Sequence, residues 1–224
     1  ARLKKAISLA DAADEKTSTT CFVADVNAVK NTLDTYKTIA GRSAAMIADG
    51  ISLNLTTDKN NPNLYYIKCH RDGNMYFKYK SRDEGMIRLE ASAEAPAGDF
   101  SAYWFFMENL KTGAINLYTY AEPEAPMGYR AVADGNSKLT TISTSDNPIV
   151  GYDYEVVAIS NTNYPIALKP LGYSTYVSNH GGVSNRMGFW TGTDSGTGLA
   201  LTEATSIENA VSLIELAELY KNAP

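Results

Sequence analysis

The chain has 224 residues, 44% of them hydrophobic and 20% charged, which is the balance of a folded protein and not of a disordered one. That length suits one domain with a core of its own plus an appendage. Twenty basic residues against 25 acidic ones give a formal charge of −5, which argues against the basic face that nucleic acid requires, and no run of apolar residues is long enough to span a membrane.

Fifteen tyrosines and two tryptophans stand out. Rings with a polar edge favour half-exposed strands and binding surfaces. Cys21 and Cys69 are too few for a zinc quartet. They form either one disulfide of a secreted protein or two buried thiols. The opening "ARLKKAIS" reads as the start of a mature form or of a piece of a longer protein.

Residues 1–61 read as a helical hairpin plus a linker. In "ARLKKAISLADAAD", Leu3, Ile7, Ala10 and Ala13 recur at three- and four-residue spacing. In "FVADVNAVKNTLDTYKTIAG", Phe22, Val26, Val29, Leu33, Tyr36 and Ala40 do the same, and Gly41 is a suitable stop. The following stretch, "RSAAMIADGISLNLTTDKNNPN", reads as a linker ending in a polar surface turn.

From residue 62 to 204 the apolar period changes from 3.6 to 2. Short runs rich in Tyr, Ile, Val, Phe and Leu alternate with Gly, Asn, Asp, Ser and Pro, an all-β pattern. "YYIKC" begins at Tyr65, "INLYTY" at Ile115 and "PIALKPL" at Pro165, a period of 50 residues. Three further strand candidates follow each start. They are "NMYFKYK", "MIRLEA" and "AYWFFMEN"; then "GYRAVAD", "KLTTIS" and "YEVVAIS"; then "STYVSN", "RMGFWT" and "GLALTEA". Three units of four strands is the reading. The rings of Tyr65, Tyr66, Tyr76, Tyr79, Tyr103, Trp104, Phe105 and Phe106 are read as core.

Residues 205–224 open on "TSIE", the spacing of a capping box. The helix that follows carries Ile207, Ala210, Val211, Ile214 and Ala217 on one stripe, with Leu213, Leu216 and Tyr220 widening it. It is expected to pack back on the N-terminal helices.

The threefold period resembles the β-trefoil of ricin-type lectin domains, in which half the strands close a barrel and the other half cap it as hairpins. Closure removes the free sheet edges. The Gln-x-Trp signature of that family is missing, because the matching strands read "AYWFF", "DYEVV" and "GLALT". "NNPNLYYIKCHRDGNMYF" and "NRMGFWTGTDSGTGLALTE" look like trefoil-like modules of large secreted bacterial proteins that act on or bind glycans. The N-terminal hairpin similarly resembles small helical modules attached to such proteins.

Catalytic motifs are missing. His70 and His180 lie in different units, which excludes a helical His-Glu-x-x-His zinc site, and "GYSTY" around Ser174 lacks the closing glycine of a nucleophile elbow. No phosphate loop or nucleotide fingerprint is present, so no cofactor is expected. Cys69 and His70 are neighbours whose side chains point to opposite faces of a strand. The EF-hand pattern is missing too, and "TDKNN" and "TSDN" read as turns.

Recognition remains. A ring stacked on a sugar, with Asn, Asp or His bonding its hydroxyls, is supplied best by the third unit, in Tyr173, Tyr176, Asn179, His180, Asn185, Trp190 and Asp194. Each has a plainer alternative: Trp190 filling the barrel end, Asp194 bonding its own turn, His180 solvated in a loop. The leading expectation is a non-catalytic, carbohydrate-binding module of a larger secreted or cell-surface protein, with a glycan and other domains of the same polypeptide as partners. The alternatives are a structural or protein-interaction domain with lost sugar sites, and a glycoside hydrolase.

Overall fold

The computed structural model describes residues 46–71, 75–130, 138–180 and 187–204. The expected N-terminal helical hairpin, the C-terminal helix, Cys21 and Asn185 lie outside these residues. Among the described residues the fold is almost entirely β. Its strands are β1 (Tyr65–Cys69), β2 (Met75–Tyr79), β3 (Ile87–Ala91), β4 (Trp104–Glu108), β5 (Ile115–Thr119), β6 (Gly128–Tyr129), β7 (Leu139–Thr140), β8 (Tyr154–Ala158), β9 (Ile166–Pro170), β10 (Tyr176–Asn179), β11 (Met187–Trp190) and β12 (Leu199–Glu203). Each of the runs named above carries one of them.

Strands β12, β9, β8, β5, β4 and β1 pair in that order, and β12 also pairs with β1, which closes a six-stranded antiparallel barrel. The remaining strands form the hairpins β2–β3, β6–β7 and β10–β11. Together these elements make a β-trefoil, and the repeat shows in the pairing. The first residue of the fourth strand faces the first residue of the first strand in every unit, as Trp104 with Tyr65, Tyr154 with Ile115, and Leu199 with Ile166.

The core follows the same threefold rule. Ile67, Leu117 and Leu168, each at the middle of its unit's first strand, are fully buried, as are the hairpin residues Phe77, Met127 and Val177. Trp104 and Tyr154 are buried too, so the polar edge of each ring needs a partner. The Trp104 indole N–H donates to the carbonyl of Phe77 at 3.0 Å, and the Tyr154 hydroxyl donates to the carbonyl of Met127 at 3.1 Å. Both bonds tie a barrel strand to the equivalent place in its own hairpin. Burial pushes the Tyr154 phenol well above its ordinary pKa. All eight rings assigned to the core from the sequence are buried. Cys69 is buried and His70 exposed, the opposite faces that a strand imposes.

One reading changes. The stretch expected to be linker-like is hydrogen-bonded to the barrel and packs on it. The Ala48 N–H donates to the Val156 carbonyl at 2.8 Å and the Thr56 N–H to the Phe106 carbonyl at 2.7 Å. Phe106 and Val156 are the same position of β4 and β8, one repeat apart. The segment between these bonds lays Ile51, Leu53 and Leu55 against the core, with Ile47 beside them. Asn54 is anchored through its N–H to the Tyr65 hydroxyl at 2.8 Å. Residues 46–56 are therefore a strap that reaches from the second unit to the first. The polar cluster after it is the expected turn, with the Asp58 carboxylate accepting from the Asn60 N–H and the Asp58 carbonyl from the Asn61 N–H.

Candidate functional site

The site begins with strand alternation. In β10 and β11, Val177, Met187 and Phe189 point into the core, so Tyr176, Ser178 and Trp190 must point outward. Tyr176 and Trp190 are directly opposite in the register. The Trp190 indole is 49% exposed, and the His180 ring stands edge-on to it with centroids 6.2 Å apart. The His180 Nε2 lies 3.2 Å from the Phe189 carbonyl oxygen. A carbonyl can only accept, so Nε2 carries the hydrogen, and in the neutral ring Nδ1 is left as an acceptor.

The turn after β11 closes over this face. The Asp194 carboxylate accepts from the Gly196 N–H at 2.7 Å, and the Asp194 carbonyl accepts from the Thr197 hydroxyl at 3.0 Å. The Gly196 carbonyl accepts from the Asn179 N–H at 2.7 Å. A side chain at position 196 would put its Cβ 2.6 Å from the Asn179 carbonyl oxygen and 2.7 Å from Ser178 Oγ, so the turn can come this close only as glycine. At the other end of the turn, Gly192 runs along the indole edge, where an added Cβ would lie 3.3 Å from Trp190 Nε1.

The structure thus brings Tyr176, His180, Trp190 and the Asp194 turn to one outward face. It places two of the other expected residues elsewhere. Asn179 is fully buried, its amide turned toward the Cys69 sulfur and the Arg71 carbonyl, so it supports the face from beneath. Tyr173 is exposed but stands over the seam between the second and third units, edge-on to Tyr129 at 6.0 Å. Tyr129 is buried against Tyr154, Phe189 and Tyr173, and burial, with nearby Tyr173 and Asp153, pushes its phenol up to about 12. Asp194 does bond its own turn, as the plainer alternative had it, and it also pairs with Arg71 at 3.1 Å. Arg71 was not singled out from the sequence, because its partners lie far along the chain.

Comparison of the three hairpins shows what is particular to the third. The last pair before each tip is Tyr79–Ile87, Tyr129–Leu139 and Asn179–Met187, so Lys78, Gly128 and Ser178 are equivalent outward positions. In the first hairpin the Lys78 ammonium fills the face, paired with Glu90 at 3.0 Å and Asp99 at 2.6 Å. Burial lowers the Lys78 pKa, but hydrogen bonds to these two carboxylates outweigh it and hold the group above its ordinary value. In the second, Ile149 and Tyr152 close over Gly128, where a Cβ would meet them at 2.4 and 2.9 Å. Across from Tyr76 in the first hairpin stands Glu90, in the place that Trp190 takes opposite Tyr176 in the third. Among the described residues no three His, Cys, Asp or Glu side chains gather as a metal-ligand set, and no helix is long and apolar enough to cross a membrane.

No family model and no curated protein matches the sequence. Solved structures do match the fold. The ricin B-like lectin of Macrolepiota procera, solved in complex with lactose, superposes with a TM-score of 0.52 at 8% identity, over 69% of this chain and 100% of that one. The Rhizoctonia solani agglutinin gives 0.49 at 9% identity, over 69% and 99% of the two chains. The Polyporus squamosus lectin, bound to a sialylated epitope, gives 0.48 at 15% identity, over 64% and 49%.

Proposed function

We propose that this chain is a carbohydrate-binding, lectin-like module whose sugar site is the outward face of the third hairpin. The observation that carries the reading is Trp190, a large ring left half exposed on a hairpin strand, with an imidazole set nearly perpendicular to it and a polar turn beside it. An indole pairs an apolar face, which suits the C–H face of a pyranose, with a polar N–H at its rim. Around such a platform, Trp190 Nε1–H is a donor and His180 Nδ1 an acceptor for hydroxyls. The shared fold with a lectin solved in complex with lactose supports the same class of ligand.

The expected valency is one. The place that Trp190 takes opposite Tyr176 holds Glu90 opposite Tyr76 in the first hairpin, and the second hairpin's short strands, Gly128–Tyr129 and Leu139–Thr140, carry no such outward ring pair. A glycan array followed by titration calorimetry of the best sugar tests both statements. Binding at one site per chain is expected. An array without a hit at high protein concentration, with the fold intact, would sink the lectin reading, and a stoichiometry of two or three would sink the single site. In this reading the module serves a larger secreted or cell-surface protein by holding it to a glycan, with the chemistry of that protein located outside this chain.

A second reading, a protein-interaction domain, draws on Val150 and Tyr152, large apolar side chains left exposed beside the second hairpin. It predicts that substitution of these two residues, and not of Trp190, abolishes function.

A further inference from the structure

The sugar site proposed above belongs to the third unit, but part of its geometry is supplied by the first. Arg71 leaves the end of β1 and lies between hairpin β10–β11 and the turn that follows it. One guanidinium nitrogen, Nη1, donates to the Asn179 carbonyl at 2.9 Å, and the other, Nη2, donates to Asp194 Oδ2 at 3.1 Å. The circuit then closes on itself. The other carboxylate oxygen of Asp194 accepts from the Gly196 N–H, the Gly196 carbonyl accepts from the Asn179 N–H, and the Asn179 amide donates to the Arg71 carbonyl at 3.4 Å.

Four residues from two units are joined in a ring of hydrogen bonds. The guanidinium makes the two bonds from two different nitrogens of one planar fork, a fixed arrangement that a single ammonium nitrogen does not reproduce. Gly196 sits so close that a Cβ there would lie 2.9 Å from the guanidinium carbon. The turn held this way is the one whose Gly192 backbone borders the indole edge.

We infer that Arg71 is a positioning residue for the Trp190 face: it fixes the 191–197 turn against the third hairpin, and so fixes the wall beside the indole. Its contribution is placement more than stability. The Arg71 and Asp194 side chains are 29% and 42% exposed, and ion pairs this open to water contribute little to folding. Losing the fork therefore leaves the fold in place and lets the turn drift from the ring.

The two tryptophans make this measurable without any ligand, since Trp104 is fully buried and Trp190 half exposed. Acrylamide quenching of the intact chain gives an accessible fraction assigned to Trp190, verified by its disappearance in Trp190→Ala. Arg71→Ala is expected to raise the quenching constant of that fraction about twofold, with the denaturation midpoint nearly unchanged. Arg71→Lys is expected to restore the value in part. Asp194→Asn, which keeps an oxygen for the Gly196 N–H but loses the charge, should behave as Arg71→Ala does and serves in its place if that variant does not fold.

Affinity for the sugar selected on the array should fall about tenfold in Arg71→Ala. Unchanged quenching in both Arg71→Ala and Asp194→Asn would overturn the inference, as would an affinity loss no larger than the unfolded fraction explains. A chain that binds no sugar but shows the quenching change retires the lectin reading and keeps the clamp.

Discussion

Replacement of Trp190 by alanine separates a binding platform from a core residue, and the structure sets the size of both effects. A Trp side chain in a core buries as much as about 250 Å², and removing one costs about 3–5 kcal/mol. Trp190 keeps only half of its surface from water, and alanine retains the part nearest the backbone. The lost burial is then of order 80 Å², worth at most ~2 kcal/mol at ~25 cal/mol per Å². Trp104→Ala, at a fully buried ring with its own hydrogen bond, sets the contrasting scale of about 3–5 kcal/mol. In binding the order reverses. A central aromatic anchor contributes about 2 kcal/mol or more, roughly 30-fold in Kd. Urea denaturation and titration calorimetry on wild type and Trp190→Ala supply both numbers. The reasoning is refuted by a stability loss above about 3 kcal/mol, which would make the ring core, or by unchanged affinity for the array sugar.

Three further outcomes follow from the geometry. Gly128→Val should destabilise the chain by about 2 kcal/mol or more, measured by denaturation, because Ile149 and Tyr152 occupy the space of its Cβ. Replacing Ile51, Leu53 and Leu55 together by serine should lower the midpoint by roughly 10 °C or more in calorimetry, since it strips the strap's apolar side chains from the core. Raising the pH should destabilise the fold from about pH 10 upward. The Tyr129 phenol is raised to about 12 by burial while the unfolded phenol titrates near 10, so the unfolded state loses its proton first. Its contribution is complete below pH 10 and gone above about 12, on the order of 2–3 kcal/mol, and Tyr129→Phe should flatten that part of the profile.

The barrel was legible because it is periodic. Residues such as Ile67, Leu117 and Leu168 recur with the repeat, and a period can be read along one dimension. The fourth strands open on Trp104, Tyr154 and Leu199, with Ala102, Tyr152 and Thr197 two residues earlier, so the repeat keeps a large buried side chain at this place without keeping its identity. The strap was read as a linker because its alternation, Ile51, Leu53 and Leu55, is short and runs into a polar cluster, while its main-chain bonds go to strands far along the chain.

The site divided along the same line. Trp190 and His180 belong to the same hairpin, and their residue types, a ring and a polar group, marked them in a local reading. Asn179 was chosen for its chemistry, but its place between Val177 and Met187 on the inward face buries it. Arg71 stayed hidden because its partners lie two units away in sequence, and nothing in "CHRDG" indicates a reach of that length.

The strap also bears on how the chain comes to be folded. It is synthesised before every strand, yet one of its two anchoring carbonyls belongs to β8, roughly a hundred residues later. Its apolar residues must therefore wait, uncovered, until two of the three units exist. Docking of the strap on β8 is a late, long-range event, and the interval before it is when a nascent chain of this design is most open to aggregation.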